Sequence, residues 1–149
     1  VIQSAARLLS HQKRSKDVEF KLEIVPDLSP VSGDPGQLQQ AVIALATNAF
    51  DAMGDSGSLS ITARNDGLKV MVEVSDTGVG IAPENLPKIF EPFYTTKEVG
   101  RGTGLGLAVC YGILTEHGGT LDVQSTMGTG TTFTITLPAI KQNEDSTVE

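Results

Sequence analysis

The sequence predicts an α/β fold: a two-layer sandwich with a mixed sheet covered on one face by helices. Two observations lead there. Five short segments alternate apolar and polar residues, the pattern of strands buried on one side only. Amphipathic stretches of helical period lie between them and supply the cover for that side.

Residues 1–16 read as the end of a helix, with Ile2, Ala5, Ala6, Leu8 and Leu9 on one side. Val18, Phe20, Leu22 and Ile24 then alternate with charged residues as the first strand. Asp34-Pro35-Gly36-Gln37 starts a long helix. Asp34 is suited to cap it, and Pro35 fits the first helical position. Leu38, Val42, Leu45, Ala49 and Ala52 recur at helical spacing until Gly54 and Gly57 end the run. Leu59, Ile61 and Ala63 mark a second strand, and Leu68, Val70, Val72 and Val74 a third. Asn65-Asp66-Gly67 reads as the turn between them. Pro83 to Phe90 reads as a short helix, Glu91 to Thr103 as a loop, and Gly104 to His117 as a second long helix stopped by Gly118-Gly119. A last hairpin places Leu121 and Val123 opposite Thr131, Phe133, Ile135 and Leu137. Residues 141–149 are polar and expected to be disordered.

A length of 149 residues suits one domain. Hydrophobic residues make up 39% and charged residues 19%, a globular balance. With 5% aromatics and no Trp, the core must rest on Val, Ile, Leu and Ala. A net charge of −7 argues against nucleic-acid binding and against an anionic membrane surface. The single Cys110 rules out an internal disulfide, in keeping with a cytosolic setting. No apolar run is long enough to span a bilayer. Because the chain starts with Val1, inside a helix, it reads as a fragment of a longer protein.

Five segments carry candidate chemistry. On the long helix, Ala41, Ala44, Asn48 and Asp51 form a stripe of small and polar residues with room for a ligand, and Asn48 offers a hard oxygen suited to Mg²⁺. Asp76-Thr77-Gly78-Val79-Gly80-Ile81 follows a strand. Its Asp can accept from an exocyclic amine, and Gly78 and Gly80 let a flat ring approach the backbone. In Phe90-Glu91-Pro92-Phe93-Tyr94-Thr95-Thr96-Lys97, apolar anchors lead into a cationic stretch with Lys97 and Arg101 that is able to close over phosphates. Gly100 to Leu107 places Gly102, Thr103, Gly104, Leu105, Gly106 and Leu107 at a helix start, where backbone N–H groups and the helix dipole attract anions. Gly128-Thr129-Gly130-Thr131-Thr132 sits at a hairpin, with Thr131 on the strand face of Phe133. No G-x-x-x-x-G-K-[ST] or G-x-G-x-x-G motif occurs, and His11, Cys110 and His117 lack the spacing of a zinc site. Cys110 reads as a core residue.

Taken in order, these segments resemble the catalytic domain of sensor histidine kinases, within the gyrase, heat-shock chaperone, histidine kinase and mismatch-repair ATPase superfamily. The resemblance covers about residues 18–138. It implies a Bergerat-type sandwich with a mobile ATP lid, and ATP and Mg²⁺ as ligands. It implies that Asn48 holds Mg²⁺, that Asp76 bonds the adenine amino group, and that Gly78, Gly80 and Ile81 lie beside the base. Lys97 and Arg101 fall in the lid, residues 102–107 match the glycine box at the phosphates, and either Thr131 or Thr132 lies near the adenine.

The sequence departs from that family at two places. Ala44 stands one turn before Asn48, where relatives carry Asn or a water-activating Glu, so hydrolysis to water should be poor. His11 is followed by Gln12-Lys13-Arg14 rather than an acidic residue and is read as exposed linker, not as the phosphoacceptor. The resemblance therefore implies γ-phosphate transfer to a histidine outside this chain, on a dimerisation domain of the same parent, with a response regulator receiver domain downstream. The alternative is an ATP-binding module with weak or no kinase activity that acts through nucleotide-dependent partner contacts. Residues 1–17 are expected to end a linker helix, 18–140 to form the catalytic domain and 141–149 to trail from it. A monomeric cytoplasmic domain is expected, from a parent that is either soluble or membrane-bound.

Overall fold

Asp34 starts the helix on which the fold turns. Its Oδ1 accepts from the N–H groups of Gly36 at 2.8 Å and Gln37 at 3.2 Å, satisfying two of the donors left open at a helix start. The helix, α2, runs Pro35–Met53 and ends at Gly54, whose φ of 71° only glycine adopts freely. The computed structural model describes residues 2–12, 18–54, 56–91 and 106–140. The expected lid, the polar end and the side chain of His11 lie outside the described residues.

The remaining elements are α1 (Ile2–Gln12), β1 (Val18–Ile24), β2 (Gly57–Asp66), β3 (Lys69–Asp76), a 3-10 turn (Leu86–Lys88), α3 (Gly106–Glu116), β4 (Thr120–Thr126) and β5 (Gly130–Pro138). The five strands form one mixed sheet in the order β1-β2-β3-β5-β4. β1 and β2 are parallel, with α2 as their crossover, and every other pairing is antiparallel. A parallel pair requires such a crossover, and this one lays α2 across the sheet.

Alternation decides which face the helices cover. Leu59, Ile61, Val72, Val74, Phe133 and Ile135 are buried beneath Leu38, Leu45, Ala46 and Ala49 of α2 and Cys110 and Leu114 of α3. The opposite face carries Ser60, Thr62, Glu73, Ser75, Thr132 and Thr134, none of them buried. One face covered and one face polar is the architecture expected from the sequence. Ala5 and Leu9 of α1 are fully buried in the same core. The Cys110 thiol is buried and donates to the Ala41 carbonyl at 3.5 Å, and burial pushes its pKa up to about 12.

Four details differ from the sequence reading. The β2–β3 turn is centred on Gly67 and Leu68, because Asp66 already pairs with Lys69 and Gly67 takes a φ of 61°. Leu68 is therefore 79% exposed rather than an inward strand residue. Pro83 to Phe90 forms turns around a three-residue 3-10 segment, not a helix, with Pro87 inside it denying a backbone donor. Leu8 is 44% exposed, off the buried line of Ala5 and Leu9. Ala41 is fully buried and bonded through its carbonyl to α3, so the small-residue stripe is open to a ligand only beyond it. Among the described residues, no helix is long and apolar enough to cross a membrane.

Burial makes a direct test of this architecture. Leu45→Ala should lower the unfolding free energy by about 2–5 kcal/mol, because a fully buried side chain leaves a cavity. Leu68→Ala should change it by less than about 0.5 kcal/mol. Urea denaturation of both variants checks the contrast.

Candidate functional site

The most unusual side chain in the covered layer is Asp76, at the last position of β3. It is only 6% exposed. A buried carboxylate must be hydrogen-bonded. Asp76 accepts from the N–H of Gly78 at 2.8 Å and from the backbone N–H of Thr131. Burial raises its pKa above the ordinary value of 3.8, and these two backbone donors pull in the opposite direction. Two donors leave part of the acceptor capacity of a carboxylate unused. The site therefore presents a held, buried acceptor.

The loop after Asp76 is pinned on both sides. On the α2 side, Val79 N–H donates to the Ala52 carbonyl at 3.2 Å, and a Cβ on Gly78 would sit 2.8 Å from the Ala52 backbone. On the hairpin side, the Val79 carbonyl accepts from Gly128 N–H at 2.8 Å, and a Cβ on Gly80 would run into the Thr126 carbonyl. Gly80 also has a φ of 79°. Gly130, at φ 144°, lies against the Asp76 carbonyl. These glycines are needed for backbone to approach backbone, a reason the sequence reading did not supply. Thr77 adds a tie to β2, its Oγ1 accepting from Ser58 N–H at 2.9 Å.

The two threonines left open by the sequence separate cleanly. Thr131 pairs with Asp76 in the ladder, so the two side chains share the helix-covered face, and Thr131 is 4% exposed. Thr132 points to the other face, where its hydroxyl lies 2.8 Å from Ser75 Oγ. A depression of about 380 Å³ on the strands there is lined by Ser75, Thr77, Gln124, Thr126 and Thr132, and also reaches Asp76 and Thr131. A second cavity, about 260 Å³, is lined by Ile24, Leu38, Val42, Val70, Leu114 and Leu137, toward the opposite end of β3.

On α2, Asn48 and Asp51 are both half-buried. Asn48 lies one turn before Ala52, on the helix face that meets Gly78. Ala44, a further turn back, is partly buried against the core. Gly106 begins α3, where a Cβ would meet no atom of another element within 4 Å among the described residues, and Leu107 packs on the core. Ile81 is half-buried at the end of the pinned loop. Phe90 stands 5.3 Å from Tyr111 and 6.5 Å from Phe133, ring centre to ring centre, which anchors the segment before residue 92 to α3 and the core. Lys97, Arg101, Gly102, Thr103, Gly104 and Leu105 lie outside the described residues.

Sequence reasoning missed two residues here. Ser125 Oγ accepts from Ile81 N–H at 2.7 Å and donates to the Gly130 carbonyl at 3.0 Å, joining loop to hairpin. His117 Nε2 accepts from Asp34 N–H at 3.1 Å while Nδ1 donates to the Ile113 carbonyl at 2.7 Å. That ties the end of α3 to the start of α2. Neither role has a local sequence signal, since both depend on contacts far apart in the chain.

A family profile described as "Histidine kinase-, DNA gyrase B-, and HSP90-like ATPase" matches residues 33–141. Among curated proteins, the chain is 44% identical to the sensor kinase CckA of Brucella abortus over 95% of its length and 17% of the relative's. It is 40% identical to the sensor histidine kinase ZraS of Escherichia coli K12, over 93% of the chain and 29% of the relative. The chain thus spans less than a third of either relative. Among solved structures, the catalytic domain of the histidine kinase ThkA superposes with a TM-score of 0.80 at 34% identity, over 93% of this chain and 91% of that one. Full-length ShkA in complex with AMPPNP matches with a TM-score of 0.79 at 32% identity, over 93% of this chain and 29% of that one. ThkA in complex with the response regulator TrrA matches with a TM-score of 0.77 at 31% identity, over 93% and 39%.

The pinned loop should be sensitive to added atoms. Gly80→Ala is expected to lower stability by at least about 2 kcal/mol, from its positive φ and the Thr126 contact, measured by urea denaturation. Asp76 should also leave a mark on the pH profile. Below both its unfolded and folded pKa the group is neutral in either state, and above the folded value the folded chain must hold a buried charge. Its contribution to stability therefore falls as pH rises through the window above 3.8. Asp76→Asn should flatten that slope in denaturation midpoints measured against pH.

Proposed function

Since this chain belongs to the histidine kinase-, DNA gyrase B- and HSP90-like ATPase family, and is the histidine kinase ATPase domain of a two-component sensor kinase, we propose that it binds Mg–ATP and passes the γ-phosphate to a histidine on a dimerisation domain of the same parent protein. The observation that carries this reading is the buried Asp76 acceptor, held by two backbone donors in a loop that other backbone keeps in place. It suits the exocyclic amine of adenine. Thr131, on the same face, is the threonine near the base. Gly78, Gly80 and Ile81 shape the loop, and Asn48 and Asp51 face the nucleotide from α2. The ShkA complex with AMPPNP, on a fold this similar, supports nucleotide binding.

Mg²⁺ fits the residues present. The ion usually keeps several waters and takes only one or two protein oxygens beside the phosphates. Asn48 offers one such amide oxygen. Among the described residues, no group of three His, Cys, Asp or Glu side chains forms a cage for it. When bound, the ion neutralises phosphate charge. Lys97 and Arg101 add cationic charge from the lid, and residues 102–107 line the phosphates at the start of α3. The protein's part in the chemistry is then positioning and charge neutralisation. Ala44 carries no base, so water is not activated there, and a histidine that brings its own nucleophilic nitrogen needs none. The receiver domain of a response regulator is the next partner, a reading supported by the ThkA complex with TrrA.

Joining an acceptor-bearing dimerisation segment to this chain and adding labelled ATP should yield acid-labile phosphohistidine. Binding of ATP without that label would reject the kinase reading and favour a binding-only module. Asp76→Ala should weaken ATP binding by roughly 100-fold, as expected for loss of a buried charged acceptor. Unchanged affinity by calorimetry would reject the base assignment.

A further inference from the structure

We propose that Ser125 sets the hydrogen-bonding polarity of the base seat. It makes Thr131 an acceptor beside Asp76, so that the seat selects a 6-aminopurine nucleotide over a 6-oxopurine one. The inference rests on the reading of the Asp76 loop as the place where the base sits.

A serine hydroxyl has one proton to donate and two lone pairs to accept with. At Ser125 all three are engaged. Its Oγ donates to the Gly130 carbonyl at 3.0 Å, accepts from Ile81 N–H at 2.7 Å, and lies 2.8 Å from Thr131 Oγ1. A carbonyl can only accept and an N–H can only donate, so the serine proton belongs to the Gly130 carbonyl. Toward Thr131, Ser125 is left with a lone pair. The Thr131 hydroxyl must therefore donate to Ser125, and what it has left to offer a ligand is its own lone pairs.

Thr131 stands directly opposite Asp76 in the ladder, on the same face, and both are buried. Asp76, as a carboxylate, also has no proton to give. Two neighbouring side chains thus accept and do not donate. The amine of a 6-aminopurine has two N–H groups to place there. The carbonyl of a 6-oxopurine would bring a third acceptor and leave buried lone pairs unpaired, which is unfavourable out of water. Ser125 touches no part of the base. It is a positioning residue that acts through Thr131, and it also holds the Ile81 end of the loop.

The test compares calorimetric affinities of the 149-residue chain for Mg–ATP and Mg–inosine triphosphate. The unmodified chain should prefer ATP by at least about tenfold. Ser125→Ala frees the Thr131 hydroxyl to donate, so the ratio should fall about tenfold, through weaker ATP and tighter inosine triphosphate binding. An unchanged ratio in Ser125→Ala, or an equal loss of both nucleotides, would overturn the proposal. Should Ser125→Ala not melt cooperatively, Thr131→Val takes its place. It removes the same acceptor and should lower the ratio likewise, and an unchanged ratio again overturns the idea. If the unmodified chain shows no preference and Asp76→Ala alters neither affinity, the base reading itself fails. A preference that depends on Asp76 but not on Ser125 sinks this inference alone.

Discussion

A buried carboxylate with backbone donors aimed at it is the constraint on which the rest depends. Asp76 sits in the covered layer among Val, Leu and Phe side chains, where an unpaired charge would be very unfavourable. Its partners are N–H groups of Gly78 and Thr131, so they are held by chain geometry and not by side-chain rotamers. That geometry exists only because three segments close in on the loop: the end of α2 at Ala52, the β4–β5 turn at Thr126 to Gly128, and the start of β5 at Gly130. Each contact is backbone against backbone, and each needs a glycine.

The wider fold follows from this. The crossover of α2 between β1 and β2 lays one helix along the sheet and brings its final turn to the loop. β5 inserts between β3 and β4, which places Thr131 opposite Asp76 and Ser125 opposite Thr131. His117 joins the end of α3 to the start of α2, so the two helices that flank the site are tied at the far end as well. The loop at Asp76 is held by contacts from this many elements, so the entropy of ordering it is met by folding.

Much of this was legible in the sequence where the signal is local. Alternation at Leu59 to Ala63 and Val70 to Val74 marked the inner face, and Asp34-Pro35 marked the helix start, because each depends on residues a few positions apart. Leu68 shows the limit. Its place in an apolar alternation made it look like a strand residue, but Gly67 turned the chain one residue later than Asn65-Asp66-Gly67 suggested. The site divides in the same way. Asp76 and its glycines stood out as a motif, whereas the reason for the glycines lies at Ala52 and Thr126, one of them on a helix ahead of the loop and the other on a hairpin after it. Ser125 was silent because a serine in a strand is unremarkable until Ile81 and Gly130 come within reach of it. Thr131 and Thr132 were equivalent until strand register set them on opposite faces.

The central claim is that the seat at Asp76 is preformed by backbone contacts and is where the nucleotide base binds. Amide hydrogen exchange, with and without Mg–ATP, addresses both halves at once. The account predicts that the amides of Gly78, Val79 and Ile81 are protected in the free chain and gain further protection with ATP, while those of β1 do not change. Exchange of these three amides at unprotected rates in the free chain, or no response to ATP at any of them, would contradict it.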